Sequence, residues 1–278
     1  MSKLLNITFS VVLLALCTLG LDVPVSAQKA TIITFDAPGA GTGAGQGTAP
    51  LAIDARGAIV GGYIDASYVW HGFMRAKEDG SFTTFDAPGA GTGAGQGTQS
   101  WGLNPWGAIT ALYIDASDAL HGFLRSHNGK ITTFDVPGAG TGPGQGTTAV
   151  EINLWGAITS NYTDASGVNH GYIRAPDGSF VTFDVPGAGT GVGQGTVPNG
   201  INLVGEVTGW YIDASNVLHG FVRAAGGSIT TFDPPGAGTG PGQGTYAFKI
   251  DPAGAIMGFY FDADYVAHGF LRTPKNIR

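Results

Sequence analysis

The side chains best suited to chemistry are a histidine and an aspartate that recur together five times, the aspartate six residues before the histidine. The histidines are His71, His121, His170, His219 and His268, and the aspartates are Asp65, Asp115, Asp164, Asp213 and Asp262. Imidazole and carboxylate groups can bind a metal or transfer protons. They can also form a structural hydrogen bond across a hairpin, which a buried polar group requires. We interpret these pairs as structural.

A shared metal is not expected. Equivalent positions in neighbouring repeats of a β protein lie about 10 Å apart, the usual distance between packed sheets. Each glycine-rich stretch is bordered by one carboxylate, whereas calcium needs about six to eight oxygen ligands, several of them carboxylates. These bordering residues are Asp36, Asp86, Asp135, Asp184 and Asp233. We therefore predict no metal and no cofactor.

Catalysis needs unlike groups that converge on one substrate, so an enzyme would have to depart from the five-fold repetition. Glutamate occurs only at Glu78, Glu151 and Glu206, in three different contexts that suggest no carboxylate pair. The sequence therefore predicts a protein without catalytic residues.

The repeats are most similar in a glycine-rich stretch, which first reads TFDAPGAGTGAGQGT at Thr34–Thr48. It lacks the helix and the lysine that phosphate-binding glycine loops require. Its alternating glycines, Gly39 to Gly47, leave two structures open, a flexible loop and an extended ribbon with one bare face.

The polar side chains of these stretches are candidate ligand contacts. Trp101 and Tyr246 are further candidates, because the residues directly after each stretch differ between copies. If these residues form the first strand, nearest the axis of the fold, they could give the central region its asymmetry. The repeated candidates are Thr42, Gln46, Thr92, Gln96, Thr141, Gln145, Thr190, Gln194, Thr239 and Gln243.

Short β-strands must position all these residues. The first repeat predicts strands at Ala49–Asp54, Ala58–Asp65, Val69–Ala76 and Ser81–Asp86, and β-branched and aromatic residues favour the last three. No segment has the apolar period of a helix. Four short strands in about 49 residues are typical of a propeller blade.

After residue 27 the chain starts with a predicted strand of the fourth type, Thr31–Asp36, and it ends soon after one of the third type, Val266–Arg272. The N-terminal strand could therefore complete the last blade and remove an open sheet edge. We predict an all-β fold, a five-bladed β-propeller of four-stranded blades closed in this way. The single domain spans 28–278, with repeats at about 34–83, 84–132, 133–181, 182–230 and 231–278.

The N-terminus has the pattern of an export signal. Lys3 precedes the largely apolar Leu4–Leu21, and the small residues Val25-Ser26-Ala27 offer a cleavage site. We predict a signal peptide at 1–27, a secreted or periplasmic location, and no membrane span after cleavage. The net charge of −7 and the 13 dispersed lysines and arginines argue against a nucleic-acid partner.

The motifs G-x-I-x-G-x-Y-x-D, H-G-F-x-R and I-T-T-F-D resemble the bacterial extracellular repeats of the HAF family. Here the family's His-Ala-Phe triplet is His-Gly-Phe, as at His71-Gly72-Phe73, or His-Gly-Tyr in the third repeat. The resemblance covers the chain after the signal peptide. It implies a secreted, propeller-like protein and no general biochemical activity.

Repeated weak sites on a rigid scaffold can bind with useful avidity. The sequence therefore favours a multivalent extracellular module that binds glycans or other cell-surface components. The alternatives are a structural or matrix protein that self-associates through its glycine-rich stretches, and a glycan-active propeller enzyme.

Overall fold

The computed structural model describes residues 31–274, so the predicted signal peptide at 1–27 lies outside the described residues. The regular structure of 31–274 is entirely β, in twenty short strands without a helix. In that range no helix is long and apolar enough to cross a membrane. The all-β class and the repeated strand units are thus confirmed.

Each repeat contributes strands of up to four types, taken in chain order. The first strands are β1 (Gly47–Ile53), β5 (Gly97–Leu103), the interrupted pair β9 (Gly146–Thr147) and β10 (Glu151–Ile152), β14 (Gly195–Ile201) and β18 (Gly244–Ile250). The second strands are β2 (Ile59–Ile64), β6 (Ile109–Ile114), β11 (Ile158–Thr163), β15 (Val207–Ile212) and β19 (Ile256–Phe261).

The third and fourth strands complete the meander. The third strands are β3 (Trp70–Arg75), β7 (Leu120–Arg125), β12 (Asn169–Arg174), β16 (Leu218–Arg223) and β20 (Ala267–Arg272). The fourth strands are β4 (Phe82–Phe85), β8 (Ile131–Phe134), β13 (Phe180–Phe183) and β17 (Ile229–Phe232). Strands that follow one another within a repeat pair antiparallel, so that Tyr63 lies opposite His71 and Gly72 opposite Phe85.

Consecutive repeats are joined by a short parallel contact between a third strand and the next first strand. In the first junction Trp70 pairs with Gly97, and the Trp70 amide donates a 2.8 Å hydrogen bond to the Gln96 carbonyl. A Cβ at Gly97 would lie 2.1 Å from the Trp70 carbonyl oxygen, so only glycine allows this close approach. Glycine occupies the same place at Gly146, Gly195 and Gly244.

Hydrophobic packing runs across these junctions. Phe73, Phe123, Tyr172 and Phe221 of the third strands are fully buried. The fourth-strand Phe85 of one repeat contacts Phe123 of the next, with ring centroids 6.5 Å apart. Burying a side chain of this size contributes about 1.5–3 kcal/mol. The fourth strand of each repeat therefore also stabilises its successor.

The predicted closing strand is not formed. Residues 31–35 contain no strand, and Ile32 is 90% exposed. β20 pairs with β19 alone within 31–274. A strand persists only through hydrogen bonds to a neighbouring strand, and no strand is formed at 31–35. Its composition matches β4, β8, β13 and β17, but composition alone does not supply a partner.

Candidate functional site

Five glycine-rich loops each lead into the first strand of a repeat, and four of them follow the fourth strand of the preceding repeat. We call them the rim loops; they span 36–46, 86–96, 135–145, 184–194 and 233–243. In the first, the Gln46 Oε1 accepts a 2.8 Å hydrogen bond from the Gly43 amide. The Gln46 Nε2 donates at 3.0 Å to the Ala66 carbonyl. The rim loop is thus folded back on itself, and the extended ribbon left open by the glycine spacing is not what forms.

The other four glutamines hold their loops in the same way. Their Oε1 atoms accept from the amides of Gly93, Gly142, Gly191 and Gly240 at 2.8–3.0 Å. A Cβ at Gly43 would lie 2.8 Å from the Gln46 Oε1, so glycine leaves room for this side chain. Each glutamine named as a ligand contact therefore also holds its own loop in place.

The threonines of the rim loops face solvent instead. Thr42, Thr92, Thr141, Thr190 and Thr239 are all exposed. A hydroxyl donates one hydrogen bond and accepts two. The five loops therefore present the same small polar group to solvent in five copies.

A tight turn lies beside each rim loop, between the second and third strands. In the first repeat the Asp65 Oδ1 accepts from the amides of Ser67 at 2.8 Å and Val69 at 2.9 Å. The Tyr68 carbonyl then accepts from the Gly95 amide of the next rim loop at 2.8 Å. Turns and rim loops thus alternate along one edge of the array.

Two exposed tyrosines on this edge were not anticipated from the sequence. The Tyr68 hydroxyl donates to the Ala44 carbonyl at 3.1 Å, and the Tyr265 hydroxyl donates to the Pro241 carbonyl at 2.8 Å. Both rings lie beside a rim loop at the same turn position, where the other repeats have Asp118, Gly167 and Asn216.

The repeated histidines lie between two carboxylates. The His71 Nε2 is 3.5 Å from the Asp65 Oδ2, while its Nδ1 is 2.9 Å from the Asp86 Oδ1. The Tyr63 ring stacks on the imidazole with centroids 4.9 Å apart. The second and closer carboxylate was not assigned to the histidine from the sequence. The register that sets Gly72 opposite Phe85 also brings the next pair, His71 and Asp86, together.

The same arrangement recurs, with one exception. The histidine Nδ1 lies 2.7–3.0 Å from the fourth-strand aspartate in the second, third and fourth repeats. Among the carboxylates of residues 31–274, His268 contacts only Asp262, at 2.9 Å, and its side chain is 43% exposed. The side chain of His121 is only 20% exposed. The difference follows from the missing fourth strand beside β20.

Hydrogen bonding and burial shift the pKa values of groups in these clusters. The backbone hydrogen bond from Val69 holds the pKa of Asp65 below its usual value, and burial raises the pKa of Tyr63. A carboxylate lies near each imidazole nitrogen of His71, 2.9 Å from Nδ1 and 3.5 Å from Nε2. In residues 31–274 no three His, Cys, Asp or Glu side chains are grouped to hold a metal ion.

The third repeat carries a polar group that the other repeats lack. The Asn169 Oδ1 accepts hydrogen bonds from the Asn161 Nδ2 at 3.0 Å and from the Thr163 Oγ1 at 2.9 Å. Its Nδ2 donates to the Gly193 carbonyl at 3.3 Å. The residues in the place of Asn169 elsewhere are Trp70, Leu120, Leu218 and Ala267.

This polar group borders an open cleft of about 370 Å³ between two rim loops, which we call the third-repeat cleft. Thr163, Asn169 and Gln145 provide its amide and hydroxyl groups, and Val192 provides an apolar wall. No charged side chain lines it. Comparison of the repeats column by column would have revealed the substitution in the sequence.

The two aromatic candidates, Trp101 and Tyr246, lie in first strands, β5 and β18. Tyr246 packs in a cluster with Trp210 and Phe259, at centroid distances of 5.3 and 4.9 Å. Trp101 lies in β5 and is exposed.

A search for matching protein families found none, and no curated protein is similar to the chain. Among solved structures, the chain is similar to AofleA from Arthrobotrys oligospora, with 10% identity and a TM-score of 0.48 over 81% of this chain and 69% of that one. It is also similar to a variant of Aleuria aurantia lectin in complex with alpha-methyl-L-fucoside. That match has 14% identity and a TM-score of 0.45 over 82% of this chain and 74% of the other. These scores are too low to assign a fold or a ligand to this chain.

Proposed function

We propose that the protein is a non-catalytic binding module for neutral glycans. The observation that carries the proposal is the third-repeat cleft, where the lining residues Thr163 and Asn169 stand at positions that are apolar in every other repeat. Sugar hydroxyls are recognised by fixed amide and hydroxyl groups, and a small number of such groups in a concave site sets ligand orientation. A cleft without charge fits a neutral ligand.

The rim loops extend this site along the edge of the array. Each presents an exposed threonine on a loop that a glutamine holds in place, and Tyr68 and Tyr265 add exposed aromatic rings. Several weak contacts spaced on one scaffold raise the avidity for a ligand that carries many copies of the same sugar. In this proposal each repeat acts as one propeller-type blade, and the protein works outside the cell after removal of residues 1–27.

A glycan array followed by calorimetry with the best ligand tests the proposal. The double variant Asn169→Leu with Thr163→Ile gives the third repeat the residues of the second, Leu120 and Ile114. We expect it to fold and to weaken binding at least tenfold. Its control, Thr83→Ala, alters an exposed fourth-strand position away from the rim loops. No array signal, or equal affinity of the double variant, would contradict the proposal.

The export part is tested separately. Expression of the full chain with its own N-terminus in a bacterial host should place the protein in the medium or periplasm, beginning at Gln28. Protein retained in the cytoplasm with an intact N-terminus would reject this part alone.

A further inference from the structure

The four junctions between repeats share one set of contacts. In the second repeat, a Cβ at Gly122 would lie 2.7 Å from the ring of Phe134, because this fourth-strand phenylalanine covers the glycine of the third strand. The adjoining Asp135 binds His121. The same phenylalanine also contacts the following repeat, where the guanidinium of Arg174 lies 4.8 Å from its ring centroid.

The C-terminal end of the array exposes one half of such a junction. A Cβ at Gly269 would meet only one carbonyl oxygen, at 4.0 Å, within the described chain. Leu271 is 69% exposed, whereas Leu124, Ile173 and Val222 at the same position are partly buried. A cavity of about 300 Å³ beside β20 is lined by Phe270, Leu271 and Arg272, among others.

The N-terminal end exposes the other half. Phe35 already packs on the first repeat. Its ring centroid lies 4.9 Å from the Arg75 guanidinium and 5.9 Å from the ring centroid of Phe82. Asp36, which corresponds to Asp135, is exposed. Ile53 is 67% exposed, although Ile152, Ile201 and Ile250 in its place are between 6% and 9% exposed. It borders a cavity of about 320 Å³.

We propose that these two halves join between copies of the chain, so that the protein associates head to tail. Residues 32–35 of a second copy pair with β20 as its fourth strand. Phe35 of that copy then covers Gly269, and its Asp36 reaches His268. The partner is a second copy because both halves are exposed in the same chain, and each matches the contact that already joins its own repeats. Unpaired strand edges of this kind readily add a strand from another chain.

Paired cysteine variants provide the sharpest test. All carry Cys17→Ser, which removes the natural cysteine. We expect that mixing Asp36→Cys with His268→Cys and oxidising gives a disulfide-linked dimer. The control is the internal double variant His71→Cys with Asp86→Cys, which should form a disulfide within one chain. A control disulfide without a mixed dimer would overturn the proposal.

Sedimentation over a concentration series gives an independent result. The unmodified protein should form dimers or larger species. Gly269→Val should shift the midpoint of association at least tenfold toward higher concentration, because its side chain would collide with the incoming Phe35. It leaves the free chain undisturbed, since the space above Gly269 is open. Leu271→Glu should act in the same direction. A monomer at every concentration, or an assembly unaffected by both variants, would refute head-to-tail pairing.

Discussion

The Nδ1 of His121 lies 3.0 Å from the carboxylate of Asp135, and this contact ties the third strand of the second repeat to its fourth strand. The opposite ring nitrogen lies 3.4 Å from Asp115 in the neighbouring turn. One imidazole thus connects two loop regions that are twenty residues apart in the chain.

The first prediction concerns the stability that this histidine provides. His121→Ala should lower the free energy of unfolding by about 1–2 kcal/mol, the range for a partly buried polar side chain that loses its hydrogen bonds. His268→Ala is the matched control and should cost less, because His268 has one carboxylate partner and is more exposed. Urea denaturation measures both. Equal losses would show that the fourth-strand aspartate contributes nothing.

The second prediction concerns acid stability. Backbone hydrogen bonds from Val69 and Val168 lower the pKa of Asp65 and Asp164 in the folded chain. The unfolded chain therefore binds protons more readily, and stability should fall as the pH drops from about 5 to below 3. Thermal unfolding across this range measures the slope.

A double variant, Asp65→Asn with Asp164→Asn, isolates this effect. Asparagine keeps the turn, since the Asn104 Oδ1 already accepts from the amides of Trp106 and Ala108 at 3.0 Å in a similar turn. The variant should lose less stability between pH 5 and pH 3 than the parent. An unchanged slope would assign the acid sensitivity to other carboxylates.

The third prediction concerns the glycine beneath each fourth-strand phenylalanine. Gly122→Ala places a methyl group against Phe134 and should destabilise the protein by about 1–3 kcal/mol, the usual cost of overpacking. Gly226→Ala is the control, because nothing lies within 4 Å of its added Cβ. Chemical denaturation compares the two. A similar effect of both variants would contradict the close contact.

The fourth prediction concerns the rim loops. Gln145→Ala removes hydrogen bonds to the Gly142 amide at 3.0 Å and to the Ala165 carbonyl at 3.1 Å. The loop should open more often and be cleaved faster by a nonspecific protease, by about tenfold for a loss near 1.4 kcal/mol. The control, Thr141→Ala, alters an exposed side chain of the same loop and should leave cleavage unchanged. Equal cleavage rates would show that the glutamine does not fix the loop.

Much of the fold could be predicted from the sequence, because strand positions depend on local residue patterns. The predicted Val69–Ala76 corresponds to β3 at Trp70–Arg75, and Ser81–Asp86 to β4 at Phe82–Phe85. The N-terminal segment was predicted with the same reasoning and is not a strand. Pairing depends on a distant partner, which the composition of Thr31–Asp36 does not specify.

The site was less predictable for related reasons. The sequence paired His71 with Asp65, and the two side chains do lie 3.5 Å apart. The closer partner, Asp86, depends on the register between β3 and β4. The role of Gln46 depends on a loop conformation that the glycine spacing left open. The third-repeat cleft has a sequence signal in Asn169, which replaces an apolar residue of the other repeats, but its walls depend on how two rim loops fold beside it.

Because each fourth-strand phenylalanine serves both its own repeat and the next, every boundary between repeats makes the same contacts. Phe85 with Arg125 and Phe134 with Arg174 illustrate this, with ring-to-guanidinium distances of 4.7 and 4.8 Å. Insertion or loss of one whole unit at a rim loop would therefore create no new kind of contact. Recombination between such similar coding segments could change the number of repeats in the array. Every remaining boundary between repeats would stay complementary. The number of repeats can therefore evolve separately from the contacts that hold them together.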